Sequence, residues 1–201
     1  MQLRLFCCLL SAKFITNPNK NEDKRQIRGG ILILNMGCGR GLPSHKFIWL
    51  GDVRIDVRKA RNVTIVADAH HLPFRAETFN IIVAFEVCEH LFNPSQALTE
   101  MRRVLKSNGK IIISIPNVWR VGRRVTWLLK RMDSLKSDSV TYHRQIWDVY
   151  ELNNLLRQLE LKIANIYWKD RGKQSIKRRI LTHFLPPEIS KSHLFVEIIK
   201  N

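Results

Sequence analysis

Cysteine is scarce in this chain: four among 201 residues, at positions 7, 8, 38 and 88. Their spacing fits neither a zinc knuckle nor a Cys-x-x-Cys redox pair, and it builds no disulfide framework. Reduced thiols in a cytoplasmic setting are the expectation. Long hydrophobic runs are also lacking, and none reaches the ~18 apolar residues of a membrane span. A short apolar stretch at residues 5–10 follows Arg4 but has no convincing cleavage site after it. Residues 1–29 therefore read as an N-terminal segment and polar linker, ending at a Gly-Gly turn. Collagen-like and wholly disordered readings fail on composition, with 45% apolar and 25% charged residues.

Acidic residues are the third shortage. There are 17 Asp and Glu against 34 Lys and Arg, a net charge of +17. The imbalance sits in the second half: residues 102–201 hold 21 bases and 8 acids, whereas residues 1–101 hold 13 and 9. Such a surface attracts anions, or is simply a solvated basic face.

Against these absences stands a repeated pattern of short apolar runs bounded by turn residues, at 31–35, 63–67, 81–85 and 110–115. Runs of this length suit strands buried on both faces of a parallel sheet. A further strand over 47–57 is interrupted by Gly51. Between the runs at 81–85 and 110–115, Asn93 is a good N-cap, Pro94 fits the first helical position, and Ala97, Leu98, Met101, Val104 and Leu105 share one face. Asn108-Gly109 predicts a left-handed end to that helix. A second helix begins at Asp148, with Glu151 at capping-box spacing and Val149, Leu152, Leu155, Leu156 and Leu159 on its apolar side. Two more strands are expected at 163–168 and 193–199. Strands alternating with helices predict an α/β fold.

The first strand runs into Gly37-Cys38-Gly39-Arg40-Gly41. Alternate glycines allow a tight turn against which a ligand can lie, although a G-x-G-x-G alone is weak evidence. Asp56 lies where a second strand should end, and Asp68 closes the third. In nucleotide-binding α/β domains an acid at the first of these places accepts ribose hydroxyls. Asp68, helped by the backbone of Ala69, is placed to accept an adenine amino group. Asp52 competes with Asp56 for the ribose role; Ile55 and Val57 flank Asp56 as strand residues would.

These pieces carry a family resemblance. The stretch Leu34-Asn35-Met36-Gly37-Cys38-Gly39, Asp56, the run from Asp68-Ala69-His70-His71 to Phe74, Glu86-Val87-Cys88-Glu89-His90-Leu91, the helix 98–106 and Gly109-Lys110 into Ile115-Pro116-Asn117 resemble the class I S-adenosylmethionine-dependent methyltransferases. The resemblance covers about residues 30–199 and is specific for fold and cofactor rather than for substrate. It implies a Rossmann-like, parallel-dominated seven-stranded sheet with helices on both faces, in a single domain over 30–201. It also implies S-adenosyl-L-methionine as cofactor, held by Asn35, Gly37, Cys38, Gly39, Asp56, Asp68, Ala69 and Glu86. Asn35 stands where the family usually has Asp or Glu. Only 14 residues separate Gly41 from Asp56, so a short or absent first helix is expected.

Methyl transfer from a sulfonium is an in-line displacement that depends mostly on positioning, with a base needed for an unactivated acceptor. Glu86, Glu89, His90 and His143 are the candidates, the two histidines being the natural bases. Glu86-x-x-Glu89-His90 also resembles the cation-holding run of the ubiquinone-biosynthesis O-methyltransferases; the same Glu-His pair occurs in metal-independent relatives, and no metal is assigned. Residues 117–147 read as a basic cap over the acceptor pocket. Within it, 119–131 has five bases and two tryptophans in the pattern of an amphipathic helix. That helix is either a packed cover or a lid gripping an anionic or lipid-linked small molecule, with peripheral membrane contact; nucleic acid ranks lower, since no RNA-binding module is visible. A non-catalytic binding protein that kept the fold is the alternative to an enzyme.

Overall fold

The computed structural model describes residues 30–39, 50–117, 120, 147–170 and 185–201. Seven strands form one sheet: β1 (Ile33–Met36), β2 (Val53–Asp56), β3 (Ile65–Val66), β4 (Phe79–Phe85), β5 (Leu105–Pro116), β6 (Leu161–Lys169) and β7 (His193–Lys200). Three α-helices accompany them among the described residues: α1 (Pro94–Val104), α2 (Val149–Gln158) and the single turn α3 (Pro187–Ser190). The strand order is β3-β2-β1-β4-β5-β7-β6. The first five run parallel, and β7 is inserted antiparallel between β5 and β6. The order reverses between β1 and β4, and ligands of such sheets bind at the carboxyl ends beside that reversal.

Alternation along the strands sorts the core. Leu34, Met36, Ile82, Ala84, Ile111, Ile113, Val196 and Ile198 point to one face, where they meet Ala97, Leu98, Met101 and Val104 of α1 and Leu152 and Leu156 of α2 in one buried cluster. The other face carries a smaller cluster of Leu50, Val83 and Ile112. Both caps form as the sequence implies. The Asn93 side chain accepts from Gln96 N–H, and Asp148 accepts from Glu151 N–H. Each satisfies a backbone donor that the first turn leaves open.

Three local expectations need correction. The helix α1 ends at Val104, not at Asn108-Gly109: Leu105 is already extended and pairs with Phe79. Gly109 lies within β5, where an added Cβ would come 2.9 Å from the Asn80 carbonyl. Close strand approach, rather than a left-handed cap, requires that glycine. The run at 63–67 shrinks to a two-residue edge strand whose Ile65 and Val66 are 38% and 55% exposed, so it is not buried on both faces. Of the strand expected over 47–57, β2 takes Val53–Asp56, after Gly51 at φ +91°, and residues 47–49 lie outside the described residues. The expectation of a short or absent first helix between Gly41 and Asp56 bears on residues 40–49, which lie outside the described residues.

Candidate functional site

The carboxyl end of β1 turns at Gly37 and Gly39, both left-handed with φ of 63° and 55°. Side chains disfavour that region, and here space is also absent: a Cβ on Gly37 would sit 2.3 Å from Val87 Cγ2. The turn is tied to the end of β2. Cys38 N–H donates to Ile55 O at 3.2 Å and Gly39 N–H to Asp56 Oδ2 at 2.7 Å. Cys38 O in turn accepts from the buried amide of Asn62 at 3.0 Å. Burial, with the neighbouring Asp56 charge, pushes the Cys38 thiol up to about 11, so this residue is a packed thiol rather than a nucleophile.

Asp56 and its competitor Asp52 are separated by the fold. Asp52 lies before β2, at the amino-terminal edge, where its Oδ2 accepts from Ile33 N–H at 2.9 Å. Asp56 ends β2 beside the glycine turn, its Oδ1 accepting from Arg58 N–H at 3.0 Å. A carboxylate offers about four acceptor positions, and these two contacts leave the rest of Asp56 for a ligand. Asn35 is buried, and its Nδ2 donates to Leu50 O at 3.0 Å. An amide donor suits this position better than the family's carboxylate, which would face a carbonyl oxygen.

Asp68 follows β3 at the same edge. Its Oδ1 accepts from His70 N–H at 2.9 Å and from His70 Nδ1 at 2.6 Å. Because Asn93 N–H donates to His70 Nε2 at 3.1 Å, the ring proton sits on Nδ1 and points at Asp68. The His70 backbone N–H, and then its ring, hold the Asp68 carboxyl below the usual carboxylate range. Asp68 Oδ2 makes no hydrogen bond among the described residues. Ala69, in the same turn, is half-buried against the core.

The loop after Asp68 is clamped by the polar side of α1. Glu100 Oε2 accepts from Leu72 N–H at 2.8 Å, while Arg103 donates to Phe74 O at 2.8 Å, to Leu72 O at 3.0 Å and to Glu100 at 2.7 Å. Gln96 donates to His70 O at 3.2 Å.

Beyond β4, Glu86 is a non-glycine residue at φ 57°. This left-handed geometry costs about 1–2 kcal/mol, and such outliers concentrate at functional sites. It is held from several sides. Its N–H donates to Ser114 O at 3.1 Å, its Oε1 accepts from Ser114 Oγ at 3.0 Å, and its Oε2 lies 3.2 Å from His193 Nε2. His193 Nδ1 meets Ser192 Oγ at 2.8 Å. Glu89 is enclosed at 1% exposure, and His90 is exposed on the short helical turn Cys88–His90. Glu86, Glu89 and His90 thus have three different surroundings, and no cluster of three potential metal ligands occurs among the described residues. His143 and nearly all of 117–147 lie outside the described residues.

Asn62, Glu100, Arg103, Ser114 and His193 were not legible as site residues. His193 opens a strand opposite Pro116, 107 positions from Glu86 in the chain, and only the antiparallel insertion of β7 brings the two together. Glu100 and Arg103 did carry a signal, an i, i+3 acid-base pair on the polar side of a helix, but not its target.

A cavity of about 390 Å³ opens farther along the same edge. Pro116, Trp147, Tyr150, Trp168, Ile189 and Leu194 line it, with Asp148 and Glu188.

The reversed strand order, the left-handed glycine turn and the carboxylates at successive strand ends define a class I methyltransferase fold. Residues 34–113 match the family described as a methyltransferase domain. Over 142 residues the chain is 30% identical to a tRNA (carboxymethyluridine(34)-5-O)-methyltransferase of Arabidopsis thaliana, covering 65% of this chain and 34% of that protein. Over 117 residues it is 28% identical to a ubiquinone biosynthesis O-methyltransferase of Glaesserella parasuis, covering 48% and 50% respectively. The chain spans about half the length of the first curated relatives it matches. A Thermotoga maritima crystal structure, described as an S-adenosylmethionine-dependent methyltransferase and possible histamine N-methyltransferase, superimposes with a TM-score of 0.59 at 19% identity, over 85% of this chain and 82% of that one. Residues 34–113 are thus similar to a methyltransferase domain, and the chain as a whole shares the fold of the solved methyltransferase.

Proposed function

We propose that this protein transfers a methyl group from S-adenosyl-L-methionine to a small-molecule acceptor. One observation carries the reading: Asp56 and Asp68 end neighbouring strands at one edge, on the β2 side of a glycine turn that a Cβ would fill.

The residues present fit the cofactor. Asp56 has acceptor positions to spare for a pair of ribose hydroxyls, Asp68 Oδ2 is available to an amino N–H, and the bare Gly37 and Gly39 backbone admits close approach. When bound, the cofactor supplies a methyl group activated by its sulfonium. The chain supplies placement, which is most of what such a displacement needs. The α1 clamp holds the Asp68 loop in position. Glu86, fixed by Ser114 and His193, presents a carboxylate beside an imidazole, a pair able to hold a proton at the carboxyl edge. The exposed His90 is the base assigned to the acceptor side; Glu89, being enclosed, supports the turn. The cavity has the size of a small-molecule site, which favours a metabolite over RNA as acceptor. No helix among the described residues is long and apolar enough to cross a membrane.

Titration calorimetry with S-adenosylmethionine and S-adenosylhomocysteine is the test. Both should bind, and Asp56→Ala should weaken them more than tenfold; no heat from folded native protein overturns the reading. Incubation with labelled donor and cell extract should label low-molecular-mass material, and label in RNA would overturn the choice of acceptor.

A further inference from the structure

The charged residues among those described around the cavity beside α2 are acids. The protein has 34 bases and 17 acids, yet the described residues lining this cavity include two carboxylates, Asp148 and Glu188, and no Lys, Arg or His. Lys191, one turn beyond Glu188, is drawn aside to Asp170 at 3.3 Å. Three aromatic rings share the wall: Trp147 and Trp168, both half-buried, and Tyr150 at the mouth, 73% exposed. The Asn117 side chain is already engaged. Asn117 Nδ2 donates to the carbonyls of Glu188 and Lys191 at 2.6 and 2.8 Å, which holds α3 against the end of β5. Asp148 uses Oδ1 to cap α2, and this cap offsets the positive end of the helix dipole.

Aromatic faces attract cations through their quadrupole, most strongly where water is partly excluded, and nearby carboxylates add to that attraction. Among the described residues, an anion entering the same space would meet two carboxylates and no base. We propose that this cavity is a binding site for an organic cation, an ammonium group on an apolar or aromatic body. The proposal narrows the substrate class of the methyltransferase reading and rests on it only for the claim that the occupant is the acceptor. The cavity adjoins the Glu86–His193 pair, since His193 pairs with Pro116 and precedes Leu194, both of which line or border it.

The experiment is a ligand-observed NMR titration of the whole chain at constant ionic strength, with three probes of one shape: phenyltrimethylammonium, its uncharged tert-butyl isostere, and benzoate. The cation should bind about tenfold more tightly than the isostere, within the range of desolvated cation–aromatic contacts. Glu188→Gln, an exposed position, should weaken the cation several-fold and leave the isostere unchanged; Tyr150→Leu should do likewise. Equal binding of cation and isostere, or preference for benzoate, overturns the proposal. Titrating S-adenosylhomocysteine into the same samples separates the two readings: loss of its binding with cation binding retained sinks the methyltransferase assignment alone, and the reverse sinks the cavity alone.

Discussion

Replacing Gly37 with alanine imposes two separable costs. The first belongs to the backbone: at φ 63° a side chain costs about 1–2 kcal/mol. The second is steric. The new Cβ would lie 2.3 Å from Val87 Cγ2 and 3.3 Å from Cγ1, and valine, branched at Cβ, cannot swing clear. Overpacking of this kind costs about 1–3 kcal/mol, so Gly37→Ala should lose about 2–5 kcal/mol in all. Val87→Ala alone removes two methyl groups and should lose about 1.5 kcal/mol. Combining the two substitutions removes the collision but not the backbone penalty. The double variant should therefore be more stable than the sum of the singles by about 1–3 kcal/mol. Urea denaturation of the four proteins measures this directly. Additivity within about 0.5 kcal/mol would show that Val87 does not confine the turn, and the account of why glycine stands there would be wrong.

Two further predictions follow from the ionisable groups. Arg103, followed by the Leu72 N–H, holds the Glu100 carboxyl below the usual carboxylate range. A depressed folded-state value stabilises the protein above the unfolded value of about 4.3 and is lost as pH falls through the folded one. Urea midpoints of Glu100→Gln should accordingly be lower than wild type near neutrality and converge with it in acid; a constant gap at every pH would remove the clamp's charge from the explanation. Burial pushes Cys38 up to about 11 and Cys88 to about 12, with the charges of Asp56 and Glu89 adding to each. Peptide mapping after alkylation near pH 8 should find both unmodified in the native protein and modified in urea. Rapid native labelling of Cys38 would place it outside the packed turn described above.

The local elements were legible because their signals are local. Asn93-Pro94 and Asp148 with Glu151 specify helix starts through their own side chains, and both caps are present. Apolar runs near 33, 81 and 111 specify strands because a strand buried on both faces needs every residue apolar. The glycine turn and the acids at 56 and 68 were legible for the same reason: each is a short-range requirement of a strand end. What misled was a signal with two physical causes. Asn108-Gly109 looks like a helix end, but the glycine answers to Leu105 and Asn80 across a tight strand approach.

By itself, the sequence determined where helices begin, which runs are strands, and that a glycine-rich turn follows the first of them. Only the tertiary structure separated Asp52 from Asp56, because the residue before β2 and the residue that ends it stand at opposite edges of the sheet. It alone brought His193 to Glu86 and gathered Trp147, Trp168 and Glu188 around one cavity. Those pairings depend on the order and direction of strands far apart in the chain, and no window of neighbouring residues contains that information.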